Sequence, residues 1–205
     1  AVGYRVDGNP DLRPERSRGL NIGTTWFANP TTSLSATAFH NRVEDLIEIV
    51  LTEPGPPTIY SYRNVSRAWL TGVDLQMQWR PLRSLQLRLG YSYLDSEDRD
   101  TGATLSGRAT HRANAALYFE QPRYALGLRG TWVDEREFGV ELDSGGPPTG
   151  AGIAGAYSLF DARTEWRRFA PLQIAAGVKN LLDEGDPRFL PIQPRSAYLE
   201  FRRDF

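Results

Sequence analysis

Along most of this chain apolar and polar side chains alternate at every second residue, the period at which successive side chains of an extended strand point to opposite faces. The plainest case sets Leu85, Leu87, Leu89, Tyr91 and Tyr93 against Gln86, Arg88, Gly90 and Ser92. Trp69, Thr71, Val73, Leu75, Met77 and Trp79 repeat it against Leu70, Gly72, Asp74, Gln76 and Gln78. An apolar stripe with helical spacing nowhere persists beyond a turn, so the chain reads as all-β. Nine strands are expected, at roughly 15–28, 31–50, 60–80, 83–96, 107–120, 123–140, 155–168, 171–182 and 195–205.

The intervals between these strands alternate in length. Asn29-Pro30, Arg80 to Arg83, Gln121-Pro122 and Arg168 to Pro171 are short, whereas 51–59, 97–106, 141–154 and 183–194 are long and rich in Gly, Pro and acids. Short turns at one end and long loops at the other are the layout of a transmembrane β-barrel, with periplasmic turns and extracellular loops. The aromatic positions agree. Trp26, Trp79 and Trp166 lie near short turns, and Trp69, Tyr91, Tyr93 and Trp132 lie towards long loops. Trp69 and Trp79 are ten residues apart on one face. At about 3.3 Å per residue and a tilt of roughly 40° that is about 25 Å along the membrane normal. These seven residues are the expected membrane girdles, in contact with outer-membrane lipid.

Composition removes several alternatives. No window holds eighteen consecutive apolar residues, which excludes a membrane-spanning helix. The mean hydropathy of −0.46 does not exclude a barrel, because only alternate side chains meet lipid. With 24 basic and 25 acidic residues the formal charge is −1, so no net field draws the chain to nucleic acid. Cysteine is absent, which removes thiol chemistry and disulfides. The first nine residues lack the basic start and apolar run of a signal segment, and the expectation is that the sequence begins mid-protein.

Four segments carry a family resemblance. Gly8-Asn9-Pro10-Asp11-Leu12-Arg13-Pro14-Glu15-Arg16-Ser17 resembles the GNPxLxPExS segment of TonB-dependent receptors. Asn64 to Ala68, followed by Gly72-Val73-Asp74, is similar to their N-x-x-x-A-x-x-x-G-V-[ED] segment. Asn180-Leu181-Leu182-Asp183 resembles the end of the penultimate strand, and the chain closes on Phe205, which resembles the signal read by barrel-assembly machinery. Arg203, in a lipid-facing register, and Pro194-Arg195 depart from the family pattern. The resemblance implies an antiparallel barrel segment in the bacterial outer membrane, the C-terminal part of a wall of roughly 22 strands. It implies as partners the missing strands and the plug, on the same polypeptide or another chain, and through the plug an energy-coupling inner-membrane protein. It further implies import of a scarce ligand such as an iron chelate or a cobalamin-like compound. Residues 1–205 are expected to form one barrel domain. Nine strands would leave two unpaired edges, untenable in hydrocarbon, so the chain requires further strands.

Candidate chemistry is sparse. His40 and His111 have no second histidine at ligand spacing, and no nucleophile elbow or phosphate loop is present, so neither an enzyme nor a resident cofactor is expected. His111 is expected to line the lumen or the loop rim. Carboxylates concentrate in the long loops. Asp95, Glu97, Asp98 and Asp100 share one, Asp134, Glu135 and Glu137 lead into the next, and Asp183, Glu184 and Asp186 occupy the last. The first seven are candidate contacts for a cationic ligand or a divalent cation, against the plainer reading of solvated loops. Asp74, Arg88, Arg129, Asp161, Arg163, Glu165 and Lys179 are expected to form mixed-sign networks facing the lumen. Two further readings stay open: a receptor-like barrel serving as scaffold or partner-binding subunit, and an outer-membrane enzyme with acids and His111 at the rim.

Overall fold

Alternation of this kind leaves every strand with one apolar face, and an apolar face needs either a second layer or lipid. The computed structural model describes residues 4–53, 58–138, 152–169, 172–185 and 192–203. No helix occurs among them. The strands are β1 (Tyr4–Asp7), β2 (Arg16–Asn29), β3 (Thr32–Glu53), β4 (Thr58–Leu82), β5 (Leu85–Asp98), β6 (His111–Gln121), β7 (Tyr124–Val133), β8 (Arg136–Phe138), β9 (Gly152–Ala154), β10 (Tyr157–Phe169), β11 (Leu172–Lys179) and β12 (Ser196–Arg203). Among the described residues each of the nine expected strands has a counterpart, in β2 to β7 and β10 to β12, and three short strands are added. Three short strands, β1, β8 and β9, escape the alternation test because three or four residues carry no readable period.

One sheet contains ten strands, in the order β12-β11-β10-β7-β6-β5-β4-β3-β2, with β1 added parallel to β4. Along that path every neighbour is antiparallel, for example Leu20↔His40, His40↔Thr71, Tyr91↔Ala113, Ala113↔Trp132 and Ala162↔Val178. The registers put all the apolar stripes on one face. β8 and β9 form a separate two-stranded ribbon. Among the described residues the sheet does not close: β2 pairs only with β3, and β12 only with β11. Among the described residues no second layer covers the apolar face. Leu20, Ile22 and Trp26 are 60–68% exposed, and Leu75, Trp79, Leu89, Trp132, Phe160 and Trp166 are exposed as well. A soluble sandwich would bury these side chains.

The short turns share one end. Pro30-Thr31, Arg83-Ser84 and Pro122-Arg123 each join two strands directly. Asn29 shapes the first, its Oδ1 accepting from the Thr31 amide at 2.9 Å and from the Thr31 hydroxyl at 2.7 Å. Register shifts at Phe27/Asn29, Trp79/Leu82 and Trp166/Phe169 also fall there, as bulges do where a strand must bend into a turn. At the other end β3 and β4 run on to 22 and 25 residues. Residues 51–53 and 58–59, expected to be loop, are still strand. At roughly 3.3 Å per residue this hairpin outreaches a 25 Å apolar band more than twofold, so its upper half stands clear of the band.

Candidate functional site

The long-loop end is held by side chains that bond backbone. Asn64, on β4, is the centre of one clamp: its Oδ1 accepts from the Arg13 amide (2.8 Å), and its Nδ2 donates to the carbonyls of Arg13 (2.9 Å) and Asp45 (2.7 Å). Asp45 adopts a left-handed backbone, φ 57°, within β3. Its carboxylate pairs with Arg13 at 2.7 Å. Glu15 accepts from the Ile47 amide at 2.6 Å, and Asn9 donates to the Tyr62 carbonyl at 2.8 Å. The two segments that looked like separate motifs, 8–17 and 64–74, are thus halves of one joint strapping the chain ahead of β2 across the β3–β4 hairpin. Below it, Ala68 is wholly buried. A side chain at Gly72 would meet the Phe39 ring and the Tyr93 carbonyl, so close packing explains that glycine.

A second clamp joins β11 to β12. Asn180 and Asp183 both take the left-handed conformation, with φ 51° and 57°, which short polar side chains tolerate. Asn180 is buried. It accepts from the Glu184 amide (2.9 Å) and donates to the carbonyls of Glu184 (2.7 Å) and Gln193 (3.0 Å), while Asp183 accepts from the Arg195 amide at 2.6 Å. The Asn-x-x-Asp spacing serves this turn.

The candidate acids do not converge. Asp98 closes a tight turn with backbone bonds to Ala103 and Gly102. Its Oδ1 accepts from the Asp100 amide at 2.9 Å, which holds its carboxyl below the usual carboxylate range. Asp100 pairs with Arg67 (3.2 Å), and Glu97 with Arg99 (2.8 Å). Asp95 stands opposite Thr71, and Asp134 accepts from the Glu135 amide at 2.9 Å. Glu137 uses its carbonyl, 2.7 Å from the Gly107 amide, to tie β8 to the loop after β5. Among the described residues no three acidic or histidine side chains could share a metal ion. Glu184 lies in the second clamp, whereas Asp186 and Phe205 fall outside the described residues.

Both histidines belong to the apolar face, and His111, the first residue of β6, stands at the loop rim and not in the lumen. It stands opposite Tyr93, with its Nδ1 2.7 Å from the Tyr91 hydroxyl. His40 meets the Thr71 hydroxyl at 2.7 Å and lies edge-on to Trp69, centroids 5.5 Å apart. Trp69, Tyr93 and Trp132 lie towards the long-loop end of the apolar face, Tyr91 stands opposite Leu75 nearer its middle, and Trp26, Trp79 and Trp166 lie towards its short-turn end. The packing of the histidines against aromatic residues is what sequence reading missed; their place on the same alternating stripe as Leu34 and Ala113 was the available signal.

The opposite face is polar and cross-linked. Arg167 bridges Glu120 (2.7 Å) and Glu165 (2.6 Å), and Arg163 pairs with Glu200 (2.8 Å), giving a run of alternating charge across β6, β10 and β12. Ser92 donates to Asp74 at 2.6 Å, and Asn180 N–H donates to Asp161 at 2.9 Å. Arg88 packs on Tyr118 and Lys179 on Tyr198. All seven expected lumen charges lie on this face by register. Where it meets the loops, Phe39, Asp74, Ser92, Leu94, Arg108 and Arg112 line a recess of about 540 Å³.

Known proteins share this arrangement. Residues 1–181 match the family described as TonB dependent receptor-like, beta-barrel. The chain is 24% identical over 177 residues to the vitamin B12 transporter BtuB of Vibrio vulnificus, covering 86% of this chain and 27% of that protein. It is 27% identical over 198 residues to the iron-regulated outer membrane virulence protein of Vibrio cholerae, covering 89% of this chain and 29% of the relative. Among solved structures, the siderophore receptor PirA of Acinetobacter baumannii superposes with a TM-score of 0.73 at 18% identity, over 98% of this chain and 33% of the receptor. The copper transporter OprC superposes with a TM-score of 0.69 at 16% identity, over 88% of this chain and 28% of the transporter. The chain thus spans between a quarter and a third of the length of these relatives, all transporters or receptors where their names state a role. The match over 1–181, with an open antiparallel sheet of the same architecture, shows that this chain is an outer-membrane β-barrel segment and belongs to the TonB-dependent receptor family.

Proposed function

We propose that residues 1–205 form one continuous wall segment of the barrel domain of an energy-coupled importer, and that they act in capture and passage of a ligand rather than in catalysis. The observation that carries this reading is the two-faced open sheet: an exposed apolar face suited to lipid, backed by a charged face suited to a water-filled or plugged interior. Two unpaired edges call for the remaining strands, whose plug would press on the face bearing Arg163, Arg167 and Glu165. The long loops face outward, and the aromatic bands ending at Trp69 and Trp79 sit at the two membrane interfaces.

The ligand is a scarce metal-bearing compound, an iron chelate or a cobalamin-like molecule, by analogy with the named relatives. The recess beside Arg108 and Arg112 supports a ligand with anionic groups, since two guanidinium groups near one carboxylate leave positive charge on balance. The test is transport by the full-length receptor in a host lacking its own receptors. Growth on a ferric chelate or on cobalamin, dependent on the energy-coupling protein, is the expected result. A full-length receptor that reaches the outer membrane yet supports neither would overturn the proposal in favour of a scaffold role.

A further inference from the structure

On the apolar face, next to Leu20 on the long-loop side, Arg18 of β2 stands directly opposite Arg42 of β3, and Arg42 opposite Trp69 of β4. Like charges placed directly across an antiparallel pair weaken it. Nearby carboxylates do not relieve this one. Glu97 is engaged by Arg99, Asp100 by Arg67 and Asp45 by Arg13. Glu44 sits opposite Arg16 and Arg67 in the next row. Among the described residues no carboxylate comes within ion-pair distance of Arg18 or Arg42. Arg42 donates from Nε to His40 Nε2 at 3.3 Å and lies 5.2 Å from the centroid of the Trp69 ring. Among the described residues two exposed guanidinium groups thus stand without a carboxylate partner beside apolar surface, with Leu20 64% and Ile22 68% exposed.

We infer that Arg18 and Arg42, with Trp69 beneath, bind the phosphate headgroup of a phosphorylated lipid in the outer leaflet, whose acyl chains lie along Leu20 and Ile22. Directly opposed residues are roughly 5 Å apart, close enough for two guanidinium forks to share one phosphate. An arginine fork suits a phosphate better than an ammonium does. A free phosphate offers the same oxygens, but only a lipid accounts for the apolar surface beside them. The inference rests on the outward orientation of the long loops.

The test uses the purified full-length receptor in detergent, with bound lipid read by native mass spectrometry. Its probes are bisphosphorylated lipid A, the same lipid dephosphorylated, and inorganic phosphate. Bisphosphorylated lipid is expected to bind, with the other two far weaker. The double variant R18A/R42A is expected to weaken it roughly 30-fold, and R42Q alone roughly fivefold, from about 1 kcal/mol per basic side chain at a headgroup surface. R80A/R83A, at the short-turn end, is expected to leave binding unaltered. Slower migration on heating, a mark of folded barrels, verifies each variant; R42Q stands in if the double variant does not fold. Equal binding by wild type and R42Q, equal binding of the dephosphorylated lipid, or equal loss in R80A/R83A overturns the proposal. Transport by the receptor is read separately, so failure here leaves the importer reading standing.

Discussion

The two ends of this sheet are built by different means. At the short-turn end the chain reverses in two residues, and order comes mainly from the backbone ladder, with Asn29 bracing one turn and Arg167 bridging Glu120 and Glu165 beside another. At the long-loop end β3 and β4 outrun their neighbours, and the ladder is supplemented by Asn9, Glu15, Asn64, Asn180 and Asp183, each spending its side chain on distant backbone, and by the ion pair of Asp45 with Arg13. Inside a bilayer the strands have no choice, since every amide must pair with a neighbouring strand. Above it water competes for each amide, and specific side chains must outbid the solvent.

Four measurements test that contrast. The largest effect is expected from Leu75→Arg, midway between Trp69 and Trp79 on the apolar face, which should cost about 2–4 kcal/mol in urea-dependent folding into liposomes. Thr71→Arg, nearer the loops, should cost about 0–1 kcal/mol; equal costs would show that the apolar band lies elsewhere. Next, Asn64→Ala should release about 1–3 kcal/mol locally by orphaning the Arg13 amide and the Asp45 carbonyl. Amide exchange should rise at residues 9–15 and 45–47 while heat-modifiable migration stays unchanged. Protection retained there would refute the strap. Arg167→Ala should shift the urea midpoint by only about 0.2–1 kcal/mol, because its pairs are solvent-accessible.

The smallest effect concerns pH. Folded Asp98 holds its charge more firmly than the unfolded chain does, because the Asp100 amide donates to it. Its contribution is therefore complete above the ordinary aspartate value of about 4 and disappears as pH falls through the lowered one. Exchange at the Asp100 and Gly102 amides should quicken only in that acidic window, with the ladder unaffected. Onset near neutrality would assign the change to another group.

Much of the ladder was legible because lipid on one side and polar contents on the other force a strict period, as in Leu85 to Tyr93. Trp69 and Trp79 could be assigned to one stripe for the same reason, being ten residues apart. The clamps were not legible as clamps. Asn64 and Arg13 are separated by 51 residues, so their partnership leaves no local period. The same holds for β1, which pairs with residues 58–61 of β4. Which face His111 takes could not be read from its neighbour Arg112, because one step of register puts adjacent residues on opposite faces. Clustering of the acids in sequence did not show their partners: Glu97 and Asp98 are neighbours, but one serves Arg99 and the other its own turn.

The strap across β3 and β4 also implies an order of events. Each rung of the main path joins strands consecutive along that path, so most of the ladder can zip hairpin by hairpin with modest loop-closure cost. Asn9 and Arg13, by contrast, find partners more than fifty residues downstream. Their closure waits until the β3–β4 hairpin already stands, making the joint a seal set after the hairpin it straps.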